Sequence, residues 1–467
     1  MLDVVVIDTP TLGDRSYLVH DGTLAAVVDP QRDLDRVLAA AAGAGVQITD
    51  VVETHIHNDY VSGGRALAEA CGARYHVNIA DDVAFRRHAV HPGEWIHVSA
   101  TLALRAVAAP GHTHTHLAYV LEERGAPVAV FTGGSLLYGS TGRTDLLGPE
   151  HTLELAHAQW ATAHRLAADL PDDTRIYPTH SFGSFCSAGQ SDVTSSSIGA
   201  ERRANPVLLQ AEEAWVAAML AGLDAWPAYY ARMGPANRAG EAAADLSPPV
   251  PADAAELRRR IRDGEWVVDL RHRKAFCEGH VAGTLNFGLD GSLATYLAWL
   301  IRWGTPVTLL GETAADVAAA QRELARVGID RPAAAATGGP AAWLDGGDPA
   351  PLPRATFGDL AAARAREPVA VLDVRRHLEW AESHLAGAVH VPLHELQARL
   401  GALPAGRLWV HCLGGYRAAV AGSLLARAGR RVVVVDDDFD QAAASGLPLE
   451  GAAHPPAAGR SPLPGVS

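Results

Sequence analysis

The sequence has few cysteines, no clusters of basic residues and no long apolar segment. Its four cysteines lie far apart among 467 residues and include no CxxC pair. This pattern excludes a disulfide framework, and we expect reduced thiols. No stretch reaches 18 consecutive apolar residues, and the first residues lack the basic and apolar regions of a signal peptide. We therefore predict a cytoplasmic protein without a membrane partner.

Acidic residues outnumber basic ones, giving a formal net charge of −14 at pH 7. Binding of nucleic-acid phosphates needs clustered Lys and Arg, so the charge disfavours a nucleic-acid partner and favours a small molecule. Apolar residues make up 48% of the sequence and charged residues 20%, which is typical of a globular protein with substantial cores. The length predicts two or three domains.

Hydrophobic patterns divide the chain into three predicted domains. Residues 1–245 alternate short apolar runs, such as VVVID and DVVET, with turns and helical segments, and they end in a helical extension and a linker rich in Pro and Ala. Residues 252–345 and 354–452 each alternate strands with helices, which predicts mostly parallel sheets covered by helices. The fold class is therefore a multi-domain α/β protein.

The two C-terminal domains form a weak internal repeat. The segments EWVVDLRHRKAFCEGHVAGTLNFGL and VAVLDVRRHLEWAESHLAGAVHVPL share the order strand, Asp-x-Arg, short helix, His, Gly, strand. Asp269 lies eleven residues before His280, and Asp373 lies eleven residues before His384. The repeat predicts two related modules.

A loop in the second module contains a cysteine in an unusual setting. RLWVHCLGGYRAAVAG reads as a buried strand, a loop from Cys412 to Arg417 and an Ala-rich helix, so the thiol lies at a helix N-terminus that favours an anion. Gly414 and Gly415 let successive backbone N–H groups point inward, and Arg417 adds a fixed positive charge. A single Cys is usually a buried structural residue, but this combination predicts a nucleophile.

These residues resemble the rhodanese family through Asp373-Val374-Arg375, His384 with Gly387, and the CLGGYR loop that matches its C-x4-R active loop. The resemblance implies that the loop cysteine carries a sulfane sulfur as a persulfide, that the loop arginine positions an anionic donor, and that this step uses no metal. It also implies a set of substrate-binding loop residues, namely Leu413, Gly414, Gly415 and Tyr416.

The first module keeps the Asp-x-Arg and His elements but has no loop thiol. Alignment on the preceding strand puts Gly311 at the cysteine position and Asp316 near the arginine position. Cys277 precedes the His280 element, so we expect it to be a packing residue. The resemblance therefore implies an inactive rhodanese-like domain.

Histidines in the N-terminal domain suggest a metal centre, with His55 and His57 in THIHNDY, His112 in APGHTHTH and His180 in YPTHSFG. In an extended segment residues i and i+2 point to one side, so His55 and His57 are predicted to face a common point. Imidazoles arranged in this way suit zinc or ferrous iron. We expect His114 and His116 to be packing or supporting residues.

The order THxHxD, PGHT, FTGG and YPTH resembles the metallo-β-lactamase fold, an αββα sandwich. More narrowly, GRTDLLG at residues 142–148 and the fused rhodanese-like modules resemble the persulfide dioxygenase branch of that fold. The resemblance implies that His55, His57 and His112 form a first metal site, while Asp59 and His180 belong to a second.

Two positions depart from this pattern. Tyr60 replaces a histidine of the second site, and Gly134 stands where the family has the aspartate of FTGD. A neutral phenol is a poor ligand at pH 7 and glycine offers none, so we expect one divalent metal. The resemblance to the persulfide dioxygenases implies Fe(II) in preference to Zn(II). Three outcomes stay open: the three first-site histidines hold the metal, Asp59 supplies the missing carboxylate, or the domain binds metal poorly.

The leading hypothesis is an enzyme of sulfane-sulfur metabolism. A persulfide dioxygenase-like domain would oxidise a low-molecular-weight thiol persulfide, and a rhodanese-type sulfurtransferase would pass sulfur between persulfide, sulfite and thiosulfate. One alternative is a zinc-dependent thioester hydrolase of glyoxalase II type. The other is a non-catalytic N-terminal domain with only Cys412 reactive. A homo-oligomer is compatible with each hypothesis.

Overall fold

The structure is a computed structural model and describes residues 2–451. The chain divides into two compact units. Unit 1 comprises the described residues up to Asp245 together with Leu324–Asp330, and unit 2 comprises Leu246–Glu323 and the described residues from Arg331 onward. The division after Asp245 falls in the linker that the sequence indicates. Among residues 2–451, no helix combines the length and apolar character needed to cross a bilayer.

Unit 1 contains two mixed sheets of six strands each. The first sheet has the strand order of the sequence, with β1 Asp3–Thr9, β2 Asp14–His20, β3 Leu24–Val28, β4 Gln47–Val52, β5 Arg74–Asn78 and β6 His88–Val90. The second sheet runs in the order β12-β11-β10-β9-β8-β7, with β7 Trp95–His97, β8 Leu102–Ala108, β9 Leu117–Glu123, β10 Ala126–Gly133, β11 Arg175–Pro178 and β12 Ser196–Ser197.

The helices of unit 1 lie between or after these strands: α1 Leu34–Ala44, α2 Gly64–Cys71, α3 Pro149–Asp169, α4 Ile198–Ala204, α5 Pro206–Leu209, α6 Glu212–Ala221 and α7 Tyr230–Ala239. Helix α1 buries Val37 and Ala41, one turn apart on one face. It ends at Gly45, whose φ of 66° suits the left-handed C-terminal cap.

Three buried cores arrange unit 1 in four layers. Helices α1 and α2 pack on the first sheet, with Val37 and Leu67 against strand residues such as Val51. Residues of both sheets, including Tyr17 and Phe131, form the core between the sheets. A third core joins α3, α4 and α6 to the outer face of the second sheet. The layers are helix, sheet, sheet and helix, which confirms the predicted αββα fold.

Two parallel sheets form the part of the chain after the linker. The strands of the first sheet are β13 Trp266–Asp269, β14 Leu285–Asn286, β15 Val307–Leu310 and β16 Ala334–Ala336, in the order β14-β13-β15-β16. The helices of this module are α8 Ala254–Arg262, α9 Arg273–Glu278, α10 Leu293–Leu300, α11 Ala314–Arg326 and α12 Pro340–Leu344.

The second parallel sheet has the order β17-β22-β21-β18-β20, while β19 pairs with β23. Its elements are β17 Arg354–Ala355, α13 Phe357–Arg364, β18 Ala370–Asp373, α14 His377–Glu382, β19 His384–Leu385, β20 Val389–His390, β21 Arg407–His411, α15 Tyr416–Arg427, β22 Arg431–Val435, α16 Gln441–Ala444 and β23 Leu449–Glu450, with short 3-10 helices at Leu393–Glu395 and Leu400–Ala402. The parallel sheets confirm the predicted fold class of both modules.

The repeated motifs of the two modules make the same contacts. Arg271 donates to Asp269 at 2.6 Å and to a backbone carbonyl eight residues ahead at 2.9 Å. Arg375 makes the same pair with Asp373 at 2.6 Å and with the carbonyl eight residues ahead at 2.7 Å. Since each pair joins the end of a central strand to the following helix, the repeated sequence specifies a repeated local structure.

Candidate functional site

The histidines predicted to bind metal lie in loops that follow strands of unit 1. His55 and His57 follow β4, His112 follows β8, and His180 follows β11. All four side chains are at most 1% exposed. Burial of uncharged imidazoles is costly unless each ring nitrogen has a partner, so the partners of each nitrogen indicate what these rings can do.

Three of these residues, His55, His112 and His180, form one group, which we call the three-histidine cluster. Each offers a ring nitrogen within 4.8 Å of the other two. The Nε2 atoms of all three are buried and make no hydrogen bond within the described chain. Three converging imidazole nitrogens without protein partners are a donor set that fits a divalent metal such as zinc or iron.

The opposite nitrogen of each ring in the cluster is held by an acceptor. His112 Nδ1 donates to the carbonyl oxygen of Arg143 at 2.7 Å. His55 Nδ1 lies 2.9 Å from Thr54 Oγ1, whose own proton goes to Asp29 at 2.7 Å. His180 Nδ1 donates to Asp14 Oδ1 at 3.0 Å. These contacts engage Nδ1 of each ring and leave Nε2 as the nitrogen that would face a metal.

His57 has the opposite arrangement. Its Nε2 lies 3.1 Å from Glu53 Oε2, 3.3 Å from Asp29 Oδ1 and 3.0 Å from the Tyr60 hydroxyl. Burial disfavours the charged ring, but the carboxylates of Asp29 and Glu53 outweigh it and raise the pKa of His57 well above its ordinary value. His57 Nδ1 has no hydrogen-bond partner within the described chain.

Two further groups of possible metal ligands involve His57. One joins His57 with Asp59 and His180, and the other joins it with Asp29 and Glu53. No group among the described residues unites His55 with His57, although their ring centroids are only 4.1 Å apart. The structure therefore divides the predicted ligands between neighbouring positions, with His180 common to two of them.

Asp59 lies beside the outer nitrogen of His180. Its Oδ2 is 3.2 Å from His180 Nδ1, close to Asp14. Burial opposes ionisation of Asp59, but the His180 ring holds the pKa of this carboxyl well below its usual range. Burial and the Asp59 charge together raise the pKa of Asp14 to about 7. Asp14 therefore accepts the His180 Nδ1 proton, and Asp59 lies beside this bond as a second carboxylate without a hydrogen bond within the described chain.

Gly134 and Tyr60, the two departures from the family pattern, are both enclosed by other side chains. A Cβ at Gly134 would lie 2.4 Å from His112 Cδ2. The Gly134 N–H donates to His116 Nε2 at 2.9 Å, so His116 supports the loop, whereas His114 is exposed. Tyr60 is fully buried and stacks on His57 with ring centroids 4.4 Å apart. Neither position offers a carboxylate or imidazole ligand.

The second candidate site is the loop between β21 and α15. Cys412 follows the last residue of β21, and the Gly415 N–H donates to Cys412 Sγ at 3.1 Å. Helix α15 begins at Tyr416, so Tyr416 and Arg417 form its first turn instead of ending the predicted loop. The thiol sulfur therefore accepts the Gly415 N–H beside the N-terminus of α15, a position that favours negative charge.

The backbone at position 415 can be adopted only by glycine without strain, so alanine at this position should impair the loop. Its φ is +90°, and a Cβ would lie 2.2 Å from Asp436 Oδ1. We expect Gly415→Ala to lower the rate of sulfur transfer from thiosulfate to cyanide about 10-fold to 100-fold, because the N–H bonded to Cys412 would move. Gly414→Ala is the matched comparison, since its Cβ would meet only Asp438 Oδ1 at 3.5 Å, and a smaller loss is expected. Equal losses in the two variants would contradict this requirement for glycine.

Arg417 is held by a carboxylate. Its Nη1 and Nη2 donate to the two oxygens of Glu379 at 2.6 and 2.7 Å. Arg417 also lines a surface pocket, whose other lining residues are Tyr296, Trp299, Leu300, Val374, Arg376, Leu393 and His394. The predicted anion-positioning role of Arg417 therefore requires a donor to share this guanidinium with Glu379.

Glu379→Gln should destabilise unit 2. Burial opposes ionisation of Glu379, but the Arg417 charge holds its pKa well below the usual range. The ion pair therefore contributes to the free energy of unfolding at every pH above the ordinary carboxyl pKa. This contribution is lost as the pH falls toward the lowered pKa of Glu379. Both side chains are about 12% exposed, so neutralising one should cost about 3 kcal/mol. Chemical denaturation at pH 7 would measure this loss, with the exposed Glu367→Gln in the same domain as control. An equal effect of both substitutions would contradict the prediction.

The first module places no thiol at the equivalent position. Gly311 directly follows β15 as Cys412 follows β21. Cys277 is 4% exposed, and burial raises its pKa to about 12, which suits a packing residue. Among the cysteines of the described chain, Cys412 is the one that directly follows a sheet strand and precedes a helix N-terminus.

Several residues of these sites were missed by reasoning from the sequence. Asp14, Asp29 and Glu53 orient the histidines, and Glu379 holds Arg417. Asp29 has a positive φ of 49°, but no motif spacing marks it. Asp14, Asp29 and Glu379 contact residues at least 25 positions away, and Glu53, although only four positions before His57, belongs to no recognised motif, so only the folded chain identifies them.

Comparison with known proteins agrees with this division. A model of the Metallo-beta-lactamase superfamily matches residues 11–180, and a model of the Rhodanese-like domain matches residues 356–445. Hydroxyacylglutathione hydrolases of Polaromonas sp. and Synechococcus sp. are 33% and 32% identical over 160 and 183 residues, which are 34% and 38% of this chain and 57% and 68% of those proteins. The chain thus spans less than two thirds of the length of the Polaromonas protein.

Among solved structures, a metallo-beta-lactamase from Staphylococcus aureus subsp. aureus COL is similar over most of this chain. The TM-score is 0.64 with 25% sequence identity, and the match covers 72% of this chain and 99% of that one.

Proposed function

The chain belongs to the metallo-beta-lactamase superfamily through its N-terminal part and carries a C-terminal rhodanese-like domain, and we propose that it is an enzyme of sulfane-sulfur metabolism. The observation that carries this proposal is the Cys412 loop, in which a thiol at the start of α15 accepts the Gly415 N–H at 3.1 Å. Such a loop stabilises a thiolate and, after sulfur transfer, a persulfide anion.

Sulfur transfer at Cys412 is a pair of displacement steps. The Cys412 thiolate attacks the outer sulfur of thiosulfate, the sulfur–sulfur bond of thiosulfate breaks, and sulfite leaves with the electron pair. A nucleophilic acceptor, such as a thiolate or cyanide, then attacks the outer persulfide sulfur and releases the Cys412 thiolate. Since electrons are conserved in both steps, this chemistry needs no metal.

The proposed role of unit 1 is oxidation of a low-molecular-weight thiol persulfide. Persulfide, dioxygen and water give thiol, sulfite and two protons, and the four electrons lost by the outer sulfur reduce the two oxygen atoms. A divalent metal held by the buried histidines would supply the Lewis acid and, with iron, the redox chemistry for this reaction. The chain's own residues hold Nδ1 of His112 and His180 in hydrogen bonds and exclude bulk water, since all these side chains are buried.

The two proposed activities share an intermediate. Sulfite from persulfide oxidation is an acceptor for the Cys412 persulfide, and their reaction gives thiosulfate and the free thiolate. Placing both activities on one chain raises the effective concentration of sulfite near its acceptor. We therefore propose thiol persulfide, sulfite and thiosulfate as the small-molecule partners.

Oxygen consumption tests the proposal for unit 1. Anaerobically purified, Fe(II)-loaded protein is expected to consume oxygen with glutathione persulfide and to form sulfite and thiosulfate that together equal the oxygen consumed, because the Cys412 persulfide converts part of the sulfite to thiosulfate. The metal-free protein should consume no oxygen. The measurement uses an oxygen electrode with quantification of sulfite and thiosulfate. If iron-loaded protein consumes no oxygen with persulfides of several small thiols, the oxidation half of the proposal is wrong.

A second candidate activity is thioester hydrolysis, because the curated relatives are named hydroxyacylglutathione hydrolases. Gly134 and Tyr60 remove two ligands that a two-metal hydrolase needs, so we expect slow hydrolysis at best. Zinc-loaded protein should hydrolyse S-lactoylglutathione more slowly than iron-loaded protein oxidises glutathione persulfide. The reverse order of rates would favour the hydrolase.

A further inference from the structure

We propose that the divalent metal of unit 1 is held by Nε2 of His55, His112 and His180, with Asp14 as the positioning residue for His180, and that His57 is not a ligand. The proposed ligand set rests on the proposed function, because it holds the metal of the proposed oxidation. It differs from the ligand set that the sequence resemblance implies, since His180 takes the place that the resemblance gives to His57.

The direction of the ring nitrogens selects the three ligands. His55, His112 and His180 each bind a protein acceptor through Nδ1 and leave a buried Nε2 without a partner. The ligand nitrogens of the three rings lie within 4.8 Å of one another. A buried nitrogen without a hydrogen bond is costly in a folded protein, and a shared metal removes that cost for all three at once.

Asp14 is placed by the backbone to orient His180. It lies at the first residue of β2 and forms an isolated antiparallel bridge with His180. The Arg15 N–H donates to the Thr179 carbonyl at 2.8 Å, and the Ser181 N–H donates to the Gly13 carbonyl at 2.7 Å. These backbone bonds flank the bond from His180 Nδ1 to Asp14 Oδ1. A carboxylate fixed in this way selects the tautomer and orientation of a metal-binding histidine.

His57 is engaged elsewhere. Its Nε2 is surrounded by Glu53, Asp29 and the Tyr60 hydroxyl, all within 3.3 Å. No group of possible ligands in the described chain contains both His57 and either His55 or His112. His57 Nδ1 is buried without a partner, as the Nε2 atoms of the cluster are, but its position groups it with Asp59 and His180 and not with His55 or His112. His57 is therefore excluded from the cluster by distance, and its Nε2 contacts tie the THIHNDY loop to residues that follow β3 and β4.

The carboxylate that the family pattern expects at residue 134 has no room beside the cluster. Gly134 has no side chain, and the His112 ring occupies the neighbouring space, with its Cδ2 only 2.4 Å from where a Cβ would lie. Residue 134 therefore supplies no carboxylate, and the proposed third ligand is the imidazole of His180. The negative charge instead lies behind His180, on Asp14 and Asp59. A second group formed by His57, Asp59 and His180 competes for the same imidazole.

Metal binding by single variants distinguishes these ligand sets. Purified full-length variants are loaded with Co(II), metal per chain is counted, and the visible absorption of Co(II) reports the ligands. Wild type and His57→Gln should each bind one Co(II) with the same spectrum. His180→Ala and His180→Gln should bind less than about a tenth as much at the same free Co(II), since one of three ligands is lost.

Asp14 variants test its positioning role. Asp14→Ala should weaken Co(II) binding about 10-fold to 100-fold, whereas Asp14→Asn, whose amide oxygen still accepts the Nδ1 proton, should restore most of the affinity and the wild-type spectrum. Equal weakening by both substitutions would overturn the role of Asp14. Circular dichroism checks that each variant is folded.

Two results would overturn the proposed ligand set. One is a folded His57→Gln variant that binds no Co(II), and the other is His180 variants that keep a full equivalent. Because substrate is absent, these results are separate from the proposed function. Protein that binds metal as proposed but consumes no oxygen would contradict the persulfide oxidation and leave the ligand set in place.

Discussion

Replacing Cys412 with serine is expected to reduce sulfur transfer from thiosulfate to cyanide by at least about a thousandfold. The hydroxyl is not ionised at neutral pH and cannot carry a sulfane sulfur, so no persulfide forms. The substitution changes one atom in a side chain that is 2% exposed, and the loop geometry around Gly415 should persist. Initial rates of thiocyanate formation measure the loss, and intact-protein mass spectrometry should show one added sulfur on wild type alone.

Cys71→Ser is the matched control for this experiment. Cys71 is a free, half-buried cysteine at the end of α2 in unit 1, far along the chain from the loop. The Cys71→Ser variant should retain the wild-type rate. That result would show that the loss in Cys412→Ser is specific to the Cys412 thiol. A Cys412→Ser protein that keeps more than about a tenth of the rate would contradict covalent transfer through this residue.

The parts of the structure that were predictable are specified by short stretches of sequence. The repeated Asp-x-Arg and His elements lie within eleven residues of each other, so their pattern survives in the sequence and the structure repeats their contacts. The Cys412 loop is contiguous as well. Its one difference from expectation is small, since α15 begins at Tyr416 and takes Arg417 into its first turn.

The roles of individual histidines were harder to predict because they depend on residues distant in sequence. His180 is oriented by Asp14, which lies 166 positions away, and His112 by the carbonyl of Arg143, 31 positions away. The i and i+2 rule predicts that His55 and His57 face a common point, and their ring centroids are 4.1 Å apart, but no group of possible ligands among the described residues contains both. The rule does not specify which ring nitrogen meets Glu53 and Asp29, and that choice determines which nitrogen of His57 is left without a protein partner.

The same limit applies to Arg417. The sequence supplies its position after the cysteine, but its carboxylate partner Glu379 comes from α14, 38 positions earlier. A guanidinium already engaged by a carboxylate binds an anionic donor less strongly than a solvent-facing one, because the two anions compete for the same N–H groups. Donor affinity at this site therefore reflects the Glu379 contact as well as the loop itself.

Restoring the family's aspartate at residue 134 is expected to damage the metal centre instead of repairing it. Gly134→Asp introduces a Cβ 2.4 Å from His112 Cδ2, so the ring must move away from the cluster. Overpacking together with a buried carboxylate should lower the free energy of unfolding by about 3 to 5 kcal/mol. Metal content per chain should fall in parallel, as measured on Co(II)-loaded protein beside a denaturation curve.

Gly134→Ala separates the two causes, because it adds the same Cβ without a charge. If steric displacement of His112 dominates, alanine should remove most of the metal as well; if the charge dominates, alanine should retain it. A Gly134→Asp protein that binds metal more tightly than wild type would show that the carboxylate can still reach the metal. That result would mean that His180 is not needed as the third metal ligand. The metal affinity of this site would then depend more on the missing aspartate than on the orientation of the histidines.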